Sequence, residues 1–196
     1  MYINEKIQEN EFNIKLNEIL RHIKKVEDNC NLLAKKLLQN KEIDYINKNL
    51  EFSLQLIQRG RTHDVFKLNS FEFINLNKES KLFKLALQQH HSKNSHHPEY
   101  YKIREKKVKE IYISDPSNKI EDWIETKSIL LMSDLDIAEM VCDCFARSQE
   151  FGTDIKKWFF GNTEQDAPFK YNYSDKDLIF NKIKFYLDLL LTPGFN

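Results

Sequence analysis

Glycine and proline are scarce. Four of each punctuate 196 residues, too few for the frequent turns of an all-β fold, whereas Leu, Lys, Glu and Gln, all good helix formers, abound. Net charge is absent too: thirty basic residues offset thirty acidic ones, so no overall field draws the chain to nucleic acid or to an acidic membrane surface. No stretch approaches the roughly 18 apolar residues of a membrane span. The opening MYINEKIQENEF also lacks the apolar run of a signal peptide. A soluble, cytoplasmic protein is the expectation. Cysteine is limited to three residues, an odd number that argues against disulfides and for reduced thiols that fill space. Internal repeats, low-complexity tracts and long linkers are missing as well. Residues 1–196 are therefore expected to form one domain, in keeping with the usual domain size of about 100–200 residues.

What is present is helical periodicity. Ile14, Ile19, Ile23, Val26, Leu33 and Leu37 recur on one face of a helix expected over 12–39. Ile43, Ile46, Leu50, Leu54 and Ile57 mark a second over 43–58, expected to stop at Gly60. The pattern resumes over 70–90, with a break near NLNKES. It starts again at Pro98, and once more over 120–152 with an interruption near Ser133 and a stop at Gly152. SDPSNK reads as a turn, and Ser174 as the N-cap of a last helix through Leu191, ended by Pro193 and Gly194. The fold class this implies is an all-α, single-domain helical bundle. Its amphipathic surface could also form a homo-oligomer, since periodicity does not separate core from interface. Trp123, Trp158 and the FYLDLLL end read as core, and so do Cys142 and Cys144.

The chemistry concentrates in histidine. Of six histidines, His63, His90, His91, His96 and His97 fall within 35 residues, and His22 lies upstream. Neutral imidazole is the commonest protein metal ligand, and carboxylates complete sites for divalent ions. Asp64 and Asp143 are the candidate carboxylates. Asp143 shares a helical stripe with Glu139 and Arg147; a salt-bridge ladder is the bland reading, but a carboxylate among Val141, Cys142, Cys144 and Phe145 is costly to bury without a cation. Arg147 then points at a substrate or holds Glu139. Arg61 could meet phosphate with its bidentate fork, or simply be a solvated arginine. Glu72 could orient a histidine, although an ordinary carboxylate at a helix N-terminus explains it better.

The ordered set His22, His63-Asp64, histidines 90–97 and Asp143 resembles the H…HD…D signature of the HD superfamily of metal-dependent phosphohydrolases. The strings RTHDVFK, SFEF, HHSKNSHHPEYY and DIAEMVCDCFARSQEFG are similar to a small family of HD-like hydrolases of phages and bacteria. The resemblance implies a helical bundle of the HD type with about six to eight helices. It also implies a metal-dependent phosphohydrolase acting on a phosphate ester, most plausibly a nucleotide, by attack of a metal-bound hydroxide. His22, His63, Asp64 and Asp143 would be metal ligands, and Asp64 would be catalytic, holding one ion or bridging two. HDVFK matches the HD-x-x-K form, which makes Lys67 catalytic and a phosphate ligand. One of His90/His91 and one of His96/His97 would complete a second ion site. His90 and His97, seven apart, would share a helical face and are favoured, leaving His91 and His96, with Arg61 and Arg147, to the substrate. Mn²⁺, Fe²⁺, Co²⁺ or Mg²⁺ suits these donors, one or two ions per chain. Two other readings stay open: a diiron oxygenase on the same ligand set, and a non-catalytic domain that binds a nucleotide or a partner protein.

Overall fold

A computed structural model describes residues 2–40, 46–101, 104, 132–161 and 176–193. All regular structure among them is helical. Helix α1 spans Tyr2–Gln39, α2 Ile46–Thr62, α3 Ser70–Asn75, α4 Phe83–Lys93, α5 Asp134–Phe151, α6 Ile155–Phe160 and α7 Lys176–Leu191. A 3-10 turn, Val65–Leu68, links α2 to α3. A further helical turn opens at Pro98, where the missing N–H of proline costs nothing. The all-α bundle expected from composition and periodicity is the fold. The SDPSNK turn, Trp123 and the Ser174 cap lie outside the described residues.

The core is built from one stripe of each long helix. On α1, Val26, Cys30, Leu33, Ala34 and Leu37 are buried at the three-and-four spacing that keeps side chains on one face. They pack on Leu56 of α2, on α5, and on Ile183, Leu187 and Leu190 of α7. Each fully buried Leu, Ile or Val contributes about 1.5–3 kcal/mol relative to exposure. Helix α5 is covered on almost every side, with Ile137, Ala138, Val141, Cys142 and Ala146 all at 0 % exposure. It is therefore the central helix, and polar groups on it are inside the protein.

The ends of α5 follow the sequence signals. Ser133 caps its N-terminus in a capping box with Asp136, and Gly152 ends it in the left-handed conformation at φ 64°. Gly60 behaves differently from expectation. Helix α2 runs through it to Thr62, because its role is close packing rather than termination. A Cβ at Gly60 would sit 2.7 Å from Cys30 Cβ and 3.1 Å from Glu27 Cα, so the glycine lets α2 press against α1. Trp158 is also corrected: it is 39 % exposed, and the neighbouring Phe159, at 0 %, fills the core instead. Cys30, Cys142 and Cys144 are free, buried thiols.

Candidate metal centre

Immediately after α2 the chain turns sharply. Asp64 adopts φ 52°, ψ 18°, and is the one non-glycine residue at positive φ among the described residues. Asp and Asn tolerate this region better than other non-glycine residues, but it still carries strain. The turn buries His63 and Asp64 side by side, each at 1 % exposure, against α1 and α5.

Asp64 has donors on both sides. Its Oδ2 lies 3.2 Å from His63 Nε2 and 4.0 Å from His22 Nε2. Asp143 Oδ1 closes that group at 3.0 Å from His22 Nε2 and 3.7 Å from His63 Nε2. On the other side, Asp64 Oδ1 lies 3.3 Å from His90 Nε2 and 3.6 Å from His96 Nε2. His97 Nε2 stands 3.0 Å from His90 Nε2. Donors that share one cation at about 2.1 Å lie about 3–4 Å from one another, which is the spacing found here. Asp64 Oδ2 is ion-paired with Lys67, whereas His22 Nε2, His63 Nε2, His96 Nε2, Asp64 Oδ1 and Asp143 Oδ1 are buried without a hydrogen bond. Such groups are costly unless something occupies the space between them.

Behind these donors stands a second set of carboxylates. Glu150 Oε1 lies 3.0 Å from His22 Nδ1, Glu139 Oε1 lies 3.0 Å from His63 Nδ1 and 3.3 Å from His96 Nδ1, and Glu72 Oε2 lies 3.0 Å from His90 Nδ1. An acceptor on Nδ1 fixes the proton there and turns Nε2 and its lone pair toward the centre. A third layer holds Glu139: Arg59 Nη1 donates to its Oε2 at 3.1 Å and also pairs with Asp136. Asp136 accepts further hydrogen bonds from Ser95 Oγ and from Tyr101 Oη at 2.6 Å.

The electrostatics favour ionised carboxylates, neutral imidazoles at His90 and His97, and a protonated one at His63 whose proton a bound cation would displace. Burial would raise Asp64 and Asp143, but for Asp64 the neighbouring His63 and Lys67, and for Asp143 His22 and His63, outweigh it and hold both well below the usual carboxylate range. Burial pushes His90 down to about 3 and lowers His97 as well, leaving both imidazoles neutral, as ligation requires. Burial would also lower His63, yet Asp64, Glu139 and Asp143 lift it to about 10. This cluster of carboxylates attracts positive charge. Buried His/Asp/Glu groups of this geometry could hold a metal ion.

Of the sequence-predicted residues, His22, His63, Asp64, His90, His96, His97 and Asp143 come together. Lys67, one 3-10 turn on, forms an ion pair with Asp64 Oδ2. Lys67, His91, His97 and Arg147 line a cleft of about 390 Å³ that opens onto Asp143. Ile19, Leu76, Phe83 and Leu87 give it apolar lining, and Lys15, Glu18 and Glu72 also line it. Arg61, His96, Arg147 and Glu72 each depart from part of what the sequence suggested. Arg61 is exposed and turned toward Glu27 at 3.8 Å, away from the cleft. His96 is 2 % exposed and held by Glu139, so it faces Asp64 with the other donors and is absent from the cleft lining. Arg147 pairs with Glu150 at 3.0 Å and leaves Glu139 to Arg59. Glu72 is not a solvated helix-end carboxylate: it is 0 % exposed and fixes His90. Glu150 and Arg59 carried no sequence signal, because each acts through a partner far along the chain, His22 at 128 residues and Asp136 at 77.

Fold and site together define an all-α protein with a buried, carboxylate-backed histidine centre that could hold a metal ion. A family model described as a family of unknown function (DUF5662) matches residues 11–184, and the chain belongs to that family. No curated protein and no solved structure matches it.

Proposed function

We propose that the protein is a metal-dependent phosphohydrolase of the HD type, acting on a phosphate ester of the nucleotide class. The observation that carries the reading is the set of five buried donor atoms without a hydrogen bond, gathered around Asp64, next to a cleft where Lys67 supplies positive charge for phosphate. His22, His63, Asp64 and Asp143 would hold one divalent ion; His90 with His96 or His97 would hold a second through Asp64 Oδ1. Such an ion supplies Lewis acidity and a water of lowered pKa.

The chain's own residues supply binding and orientation. Lys67 stands where the cleft meets Asp64 and would bind a phosphoryl oxygen, neutralising charge that develops during transfer. Arg147 and Lys15 add positive charge on the same cleft. Ile19, Leu76, Phe83 and Leu87 line the same cleft and would accept the less polar part of the ester. Glu139, Glu72 and Glu150 keep the imidazoles oriented.

The test is phosphate release from a panel of nucleotides with added Mn²⁺, Co²⁺, Fe²⁺ or Mg²⁺, comparing wild type with Asp64→Asn, which keeps a residue tolerant of positive φ. Metal-dependent release that vanishes in the variant supports the hydrolase. Folded, metal-loaded protein that releases no phosphate overturns it; oxygen consumption by the iron-loaded form would then favour the oxygenase.

A further inference from the structure

The inner donors are nearly sealed: His22, His63, Asp64, His90 and His96 are each at most 3 % exposed. His22 and His90, with Asp143, face solvent through the cleft that Lys67 and His91 also line. A chain of donors continues outward from His90. His97 Nε2 lies 3.0 Å from His90 Nε2, the rings of His97 and His91 are centred 4.9 Å apart, and beyond them stands Glu99, exposed to solvent. His91, His97 and Glu99 each offer one ligand atom, and the three atoms lie within 4.8 Å of one another. The trio comes from local structure. His91 is in the last turns of α4, and the backbone turn from Asn94 to His97, closed by a hydrogen bond of 3.1 Å, swings His97 back beside it. Glu99 follows in the turn that opens at Pro98.

We propose that His91, His97 and Glu99 form an additional, solvent-facing site for a divalent cation, through which ions enter the buried centre by way of His97. The site itself rests on these three donors, of which His97 is shared with the inner groups; its role in loading rests on the centre proposed above. Two imidazoles and one carboxylate leave coordination positions for water, so an ion can bind before it is fully dehydrated. The donor set suits Zn²⁺, Co²⁺, Fe²⁺ or Mn²⁺ better than Ca²⁺. Binding is weaker than inside, because solvent competes for a half-exposed site. Ions then exchange ligands stepwise, from Glu99 and His91 to His97, and from His97 to His90 and Asp64.

Co²⁺ is the probe, titrated calorimetrically and followed by its visible absorption into the full chain. Wild type is expected to bind one weak equivalent besides the tight ones. His91→Ala and Glu99→Gln should each lose the weak equivalent, keep the tight binding, and load it more slowly in stopped-flow mixing. Asp64→Asn should do the reverse, keeping the weak equivalent and losing the tight ones. A wild type without a weak equivalent, or one that survives in both His91→Ala and Glu99→Gln, overturns the site. Loss of the weak equivalent with unchanged loading rates overturns the entry role. Weak binding alone in wild type would leave this site standing and remove the buried centre.

Discussion

Replacing Glu139 by glutamine isolates what the second carboxylate layer does. Glu139 Oε1 serves both His63 Nδ1 and His96 Nδ1, at 3.0 and 3.3 Å, while Oε2 accepts from Arg59 Nη1 at 3.1 Å. A carboxylate can accept on both sides; an amide cannot. With its oxygen toward the histidines, glutamine sets an NH₂ against the Arg59 guanidinium and forfeits a charge-assisted hydrogen bond of about 1.5–3 kcal/mol. Turned over, it sets the NH₂ against two imidazole N–H groups and rotates both ligands. Either orientation also removes the negative charge that makes the two imidazoles stronger donors. Loss of such a partner weakens metal affinity about 10- to 100-fold, or about 1.4–2.8 kcal/mol. Calorimetric titration with Mn²⁺ or Co²⁺ reads this directly, and thermal melting of the metal-free protein measures the Arg59 share separately. Affinity within about twofold of wild type would refute the reasoning, since Glu139 would then be a structural carboxylate only.

Three further outcomes follow from the same geometry. Saturating divalent ion should raise the melting temperature of wild type, by the equivalent of about 2.7 kcal/mol at 100 times Kd, and EDTA should reverse it; Asp64→Asn should show no such shift in differential scanning fluorimetry. Gly60→Ala should destabilise by about 1–3 kcal/mol in urea titration despite alanine's better helix propensity, because the added Cβ overlaps Cys30. Asp136→Asn should cost about 3 kcal/mol at neutral pH, since it strips the partly buried Arg59 of one partner. The same variant should flatten the acid limb of the stability curve. Burial alone would raise Asp136, but hydrogen bonds from Ser133, Ser95, Tyr101 and Arg59 lower it below its ordinary value. Its contribution is thus complete above the unfolded carboxylate value near 3.8 and lost as pH falls through the lower folded one. Urea titrations of wild type and variant between pH 3 and 7 check it; parallel curves would refute the assignment.

The fold was legible wherever local rules decide it. Ser133 and Gly152 bound α5 because capping needs only the residues at hand, and the α1 stripe through Val26, Leu33 and Leu37 is visible as spacing alone. Gly60 was not, because glycine signals a helix end or a close helix contact with the same letter, and only Cys30 on α1 distinguishes them. The inner histidines and both aspartates stood out by residue type. The choice between His96 and His97 did not, since the turn at 94–97 breaks the helical phase on which the seven-residue argument depends. Glu72 and Glu139 looked like ordinary helix carboxylates. Their burial against His90 and His63 is set by packing between α3 and α4 and between α2 and α5, a long-range property that no window of sequence contains.

The clamped imidazoles also decide how selective the centre would be. Each is locked from behind by a carboxylate, and Glu139 is itself locked by Arg59, so an arriving ion would find ligands with little rotational freedom left to lose. The ordering was done when the chain folded. A cation of the wrong radius could not be accommodated by swinging a side chain; it would have to stretch bonds or retain water. Discrimination among ions would then come from donor spacing and dehydration cost. The negative heat-capacity change that marks apolar burial would be missing from binding, since no apolar surface is covered as the ion goes in.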